Sequence, residues 1–92
     1  MKRVDLQISG NVQGVNFRYY LNKIARQAGL TGWVQNSPAD YNVVEAVLEG
    51  NDDDVQRVID WCRKGPPRAK VGEVKVQEGK YTGEFKGFEI KN

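Results

Sequence analysis

The sequence contains no histidine at all and only one cysteine, Cys62. The first absence removes the commonest general base, the commonest metal ligand and every Ser-His or Cys-His nucleophile arrangement. The second excludes a disulfide framework and argues against a zinc cluster. Proline is scarce, at three residues, and no low-complexity tract interrupts the 92-residue chain. No apolar run approaches the ~20 residues of a membrane-spanning helix. The opening "MKRVDLQISG" alternates instead of presenting the apolar block of a signal peptide. A dominant charge is missing too: fourteen Lys and Arg against twelve Asp and Glu leave a net +2, with both signs spread along the chain. So even a balance does not point to nucleic acid or to a membrane surface. The expectation is a reduced, cytoplasmic, soluble protein, a monomer of one domain over residues 1–92, with no metal and no cofactor.

What is present is clear periodicity. Val4, Leu6 and Ile8 alternate with Asp5, Gln7 and Ser9, the pattern of a strand with one buried face. Phe17, Leu21, Ile24, Ala25 and Ala28 then form one helical stripe that Gly29 ends. "TGWVQN" and "VVEAVLEG" read as two further strands around the turn-like "SPADYN". Asn51 is placed to cap a second helix, with Asp52, Asp53 and Asp54 in the first turn, where the helix dipole favours anions. Val55, Val58, Ile59 and Cys62 are its apolar stripe, and "KGPP" stops it. Val74 and Val76 indicate a fourth strand; Val71 has the opposite parity, as a bulge or a late start would give. Phe88 and Ile90 give a short terminal strand.

This order, strand–helix–strand twice around a middle hairpin, predicts an α+β protein with the ferredoxin-like split βαβ sandwich (βαββαβ). Right-handed crossovers would place two helices on one face of an antiparallel sheet, with a short C-terminal strand added. Fold alone supplies no function.

Chemistry is concentrated in "GNVQGVNFR", Gly10 to Arg18, which joins the first strand to the first helix. A helix N-terminus has unpaired N–H groups and a partial positive charge, and a glycine-flanked loop before it can turn several amides inward around an anion. Gly10 and Gly14 allow close backbone approach. Arg18 sits in the first helical turn, where a cation opposes the dipole by about 0.3–1 kcal/mol if exposed. A bound phosphate, gripped by two parallel guanidinium hydrogen bonds, would remove that conflict. An ordinary tight turn followed by a solvated arginine produces the same pattern, because short glycine motifs recur by chance. The loop lacks the Lys-Ser/Thr ending of a Walker A motif and is no GxGxxG fingerprint.

Other residues are ambivalent. Asn36 ends the second strand before Ser37-Pro38, where asparagine often bonds the backbone of its own turn. Cys62 falls on an apolar stripe and reads as a buried, inert thiol. The acids at 52–54 point in different directions and serve the dipole instead of a metal. Trp33 and Trp61 read as packing, and Tyr19 is a candidate for the mouth of a pocket.

"GNVQGVNFR" closely resembles the signature of the acylphosphatases, small enzymes that hydrolyse carboxyl–phosphate anhydrides. "LTGWVQN" resembles that family's second motif, and "VEAVLEG", "GPPRAKV" and "GFEI" follow in matching order, so the resemblance covers essentially the whole chain. It implies that Arg18 is the phosphate-binding catalytic arginine and that Asn36 positions the attacking water. It implies further that the backbone amides of Asn11, Val12, Gln13, Gly14, Val15 and Asn16 cradle the phosphate. The substrate would be a small-molecule acyl phosphate and a product inorganic phosphate. The connection "SPADYN" is longer than the family's usual turn and lacks its glycine, which bears on strand pairing and pocket access beyond Asn36.

Such a site suits that substrate class on chemical grounds. A carboxylate leaves readily, so no general acid is needed, and positioning with electrostatics carries phosphoryl transfer. Asn36 can orient water but cannot deprotonate it. The expectation is therefore direct in-line attack by water, with no phosphoenzyme. Two rival readings use the same fold: an anion-binding or regulatory module without turnover, and an RNA-binding module. Against the latter, "VVEAVLEG" carries none of the aromatics an RNA-reading third strand needs.

Overall fold

The computed structural model describes residues 1–12 and 16–91. The elements run β1 (Lys2–Asn11), α1 (Phe17–Gln27), β2 (Thr31–Asn36), β3 (Val43–Gly50), α2 (Asp52–Lys64), β4 (Lys70–Gly79) and β5 (Phe88–Ile90). They build one five-stranded sheet in the order β4-β1-β3-β2-β5. β1 pairs antiparallel with both β3 and β4, and β2 pairs antiparallel with β3, as the ferredoxin-like order requires. β5, the short added C-terminal strand, runs parallel to β2, with Gly32 opposite Phe88 and Val34 opposite Ile90.

Alternation in β1 does what its pattern demands. Val4, Leu6 and Ile8 are buried on the face that carries both helices, together with Val34 of β2 and Val44, Ala46 and Leu48 of β3. Leu21 and Ala25 of α1 and Val55, Val58, Ile59 and Cys62 of α2 close this layer. Phe17 is the link between the helices, its ring centroid 5.3 Å from that of Trp61.

The opposite parity of Val71 and Val74 is a bulge. Ser9 faces Glu73, Gly10 faces Val71, and the ladder shifts register between Ser9 and Gly10, leaving Gly72 over. The bulge dictates the residue at position 10. Gly10 has φ +123°, and a Cβ there would collide with the Lys70 carbonyl oxygen and the Gly72 nitrogen. This glycine is required by the neighbouring strand, a reason its place in the loop motif did not reveal.

β4 and β5 occupy opposite edges, so residues 80–87 must cross the whole sheet. They do so at the end where Arg3 pairs with Gly79, and Glu49 ties the crossing down. The Glu49 carboxylate, 0% exposed, accepts hydrogen bonds from the Thr82 amide (3.0 Å), the Thr82 hydroxyl (2.9 Å) and the Gly83 amide (3.0 Å). β5 then runs back toward the other end, where the Lys91 amide donates to the Val34 carbonyl at 2.8 Å.

Candidate active site

The two helices begin with opposite chemistry. α2 starts as a helix in water should: the Asn51 side chain accepts from the Asp53 amide at 3.0 Å, and three aspartates occupy the first turn. α1 starts at Asn16, whose side chain makes no capping bond, and its first turn holds no acid and one arginine, Arg18. Asn16 is left-handed (φ 60°, ψ 31°), a conformation asparagine tolerates better than most residues. The N-terminal amides of α1 thus lack the side-chain cap and the counter-charge that α2 has.

Phe17 enters the core while the next residue, Arg18, stays half-buried at the surface. Anchoring Phe17 between α1 and α2 therefore also sets where Arg18 leaves the helix. Asn36 reaches the same region from the sheet. In β2 the Val34 side chain faces the helices, and by alternation that of Asn36 does too. Its register partner is Val44, while Val43 faces Ser9 of β1. The C-terminal ends of β1 and β2 therefore lie at one end of the sheet, two strand spacings or roughly 10 Å apart.

Arg18 and Asn36 line one cleft of about 490 Å³, together with Ser37, Pro38, Tyr41 and Lys91. Among its described lining residues two are cationic and none is acidic. Among the described residues the turn after Asn36 is held by other side chains. The Ser37 hydroxyl accepts from the amides of Ala39 (3.2 Å) and Asp40 (3.4 Å), and the Asp40 carboxylate accepts from the Asn42 amide (3.0 Å). The turn thus makes no use of the Asn36 amide, which stands at the cleft. On the far side the Lys91 ammonium lies 4.7 Å from the centroid of the Trp33 ring, a cation–π arrangement.

The remaining residues of the loop motif divide. Asn11 closes β1 opposite Lys70 and is exposed. Val12 is buried in the core, and its amide donates to the Gly10 carbonyl at 3.0 Å, so in this arrangement that amide is already engaged. Gln13, Gly14 and Val15 lie outside the described residues. Tyr19 packs edge-on against Tyr20, with centroids 5.4 Å apart, and does not line the cleft. The aromatic residue that does is Tyr41, which the sequence signals only through the unusual "SPADYN" connection. Cys62 is wholly buried, and burial pushes its thiol up to about 12, so it is the inert packing residue expected. No helix among the described residues is long and apolar enough to cross a membrane.

The chain matches the family model for acylphosphatase over residues 4–90. It is 49% identical to an acylphosphatase of Aeropyrum pernix, an alignment covering 97% of this chain and 87% of that protein. It is 48% identical to one of Syntrophobacter fumaroxidans, over 97% of this chain and 90% of that protein. The crystal structure of acylphosphatase from Bacillus subtilis superposes with a TM-score of 0.92 at 30% identity, covering 100% of both chains. A fold, a motif pair brought to one cleft and full-length similarity agree: the chain belongs to the acylphosphatase family.

Proposed function

We propose that this chain hydrolyses acyl phosphates in the cytoplasm, as a monomer, with Arg18 and Asn36 as its catalytic residues. The reading is carried by one observation: the two motif residues that the family resemblance singles out, far apart in sequence, line the same acid-free cleft. Arg18 holds the phosphoryl oxygens through parallel N–H···O bonds and stays charged through the reaction. Amides within Asn11–Asn16 complete the phosphate cradle, with Val12 contributing mainly its buried side chain.

Asn36 orients a water molecule in line with the bond to be broken, accepting from the water through its carbonyl oxygen or donating through its amide. Water oxygen bonds to phosphorus as the bond from phosphorus to the acyl oxygen breaks, so an acyl phosphate dianion and water give a carboxylate and dihydrogen phosphate. Both water protons remain on the phosphate oxygens until the product equilibrates with solvent. The carboxylate leaves unprotonated, and for that reason the site needs no acid. In a loose transition state, charge gathers on the equatorial oxygens, where preorganised donors are most effective.

The test is hydrolysis of benzoyl phosphate, with a chelator present, by the native chain, Arg18→Gln and Asn36→Ala. Losses of at least about 100-fold in kcat/KM are expected for each variant, the size typical of removing one preorganised donor. Both variants should keep the native circular dichroism spectrum. A folded native chain that binds phosphate but turns nothing over would reduce the protein to an anion-binding module. Turnover that survives Arg18→Gln would leave the activity and discard the site.

A further inference from the structure

We infer that Tyr41, with Pro38, forms a wall for the acyl group and makes aromatic acyl phosphates the favoured substrates of this chain. The inference rests on the hydrolase reading above and adds to it what lies on the carbon side of the bond.

Arg18 and Asn36 account for the phosphoryl group and the water; they say nothing about the acyl group. A substrate held by these two residues must direct its acyl part either to bulk solvent or along the cleft they line. The cleft is larger than a phosphoryl group requires, about 490 Å³, within the usual range of small-molecule sites. Beyond the catalytic pair its apolar lining comes from Pro38 and Tyr41, two flat-sided residues of the β2–β3 connection. Among the described residues no leucine, isoleucine, valine or methionine lines it. Flat faces favour a planar ring over a branched or short alkyl group, because rings stack and pack edge-to-face on aromatic surfaces.

The wall is also prepared in advance. Tyr41 lies between Asp40 and Asn42, which are bonded to each other from the Asn42 amide to the Asp40 carboxylate at 3.0 Å. The same turn is closed by Val43 N–H to the Asp40 carbonyl (2.9 Å) and Ser37 N–H to the Val43 carbonyl (2.8 Å). Buried Ser37 adds its hydroxyl to two further amides. Yet the Tyr41 side chain at the top of this braced turn is left 62% exposed. A rigid backbone carrying an unburied aromatic ring beside a catalytic pair costs little entropy to use, which is how preorganised sites gain affinity. Tyr41 packs into no core, so its removal leaves the fold intact.

The experiment measures kcat/KM for benzoyl phosphate and for acetyl phosphate with the native chain, Tyr41→Ala and Tyr41→Phe. Comparing the ratio of the two values between proteins cancels the different intrinsic reactivity of the substrates. Tyr41→Ala is expected to lower the benzoyl-to-acetyl ratio about three- to tenfold, the size of one aromatic contact. Tyr41→Phe should hold the ratio within about twofold, since the ring and not the hydroxyl does the selecting. An unchanged ratio in Tyr41→Ala overturns the wall while leaving the hydrolase reading intact. If the native chain turns over neither substrate, the hydrolase reading falls, and inhibitor-type binding decides the wall separately. Benzoylphosphonate should then bind more tightly than acetylphosphonate, with the preference lost in Tyr41→Ala. Equal binding of the two phosphonates to the native chain overturns the wall in that case also.

Discussion

Arg3 and Glu49 stand opposite one another in the β1–β3 ladder, and the Arg3 guanidinium lies 3.3 Å from a Glu49 carboxylate that is wholly buried. Together with the donors from Thr82 and Gly83, they form a clasp that holds the crossing between the two sheet edges. Without Glu49, Arg3 keeps Asp5 at 3.3 Å and Glu84 at 3.6 Å, but the Thr82 and Gly83 donors lose their charged acceptor, and three hydrogen bonds to a charged group are together worth about 3 kcal/mol or more. Glu49→Ala is therefore expected to lower the melting temperature by roughly 15 °C or more for a domain of this size. Thermal unfolding followed by circular dichroism measures this. A shift of only a few degrees would mean that the clasp is ornamental.

The clasp also makes stability depend on pH. Burial pushes the Glu49 carboxyl up, but the Thr82 amide and hydroxyl, the Gly83 amide and Arg3 together outweigh it and hold the group below its ordinary 4.5. A carboxyl depressed in the folded state binds fewer protons there than in the unfolded chain, so its contribution is full above the ordinary value. It is lost as the pH falls through 4.5 toward the lower folded value. Glu49→Gln has no such proton to bind. The stability gap between the native chain and Glu49→Gln should accordingly narrow from about pH 7 to about pH 3.5, read from urea midpoints at each. A constant gap contradicts the assignment.

Gly10 offers a way to separate architecture from chemistry. Its φ of +123° and the crowding by Lys70 and Gly72 predict that Gly10→Ala costs about 2–4 kcal/mol. Because this glycine serves the β1–β4 bulge, the loss should appear in denaturant unfolding well before it appears in turnover at low temperature. The reverse order, a stable protein without activity, would return Gly10 to the phosphate site.

Asn36→Asp distinguishes orienting water from deprotonating it. The two side chains have nearly the same shape, but only the carboxylate can accept a proton. Beside an anionic substrate the new charge repels what the cleft must bind, so kcat/KM near neutral pH should fall about 100-fold or more with little change in melting temperature. Retained or enhanced activity would show that the position acts as a base.

Much of this was legible in the residues themselves. The alternation of Val4, Leu6 and Ile8, the stripes of both helices and the parity break at Val71 each report a local period, and local periods survive without tertiary context. Arg18 and Asn36 were legible through their motifs, and the fold brings both to one cleft. What was hidden depends on distant partners. Glu49 alternates as an outward residue should, and nothing nearby announces that Thr82 and Gly83 will cover it. The three residues of β5 are too few to show a direction, so its parallel pairing follows only from the crossing that precedes it. Tyr19 and Tyr41 are both exposed, at 56% and 62%, and only the turn geometry decides which of them meets the cleft.

The β1–β4 ladder carries one more implication, for how quickly the chain reaches its native state. Arg3 pairs with Gly79 and Ser9 with Glu73, so β1 finds its second neighbour across most of the polypeptide. Loops of that length must close before any of those bonds can form, and the search grows longer as sequence separation grows. Refolding should therefore run on the millisecond-to-second scale of β-rich proteins, although more than a quarter of the chain is helical and those helices could form in microseconds on their own.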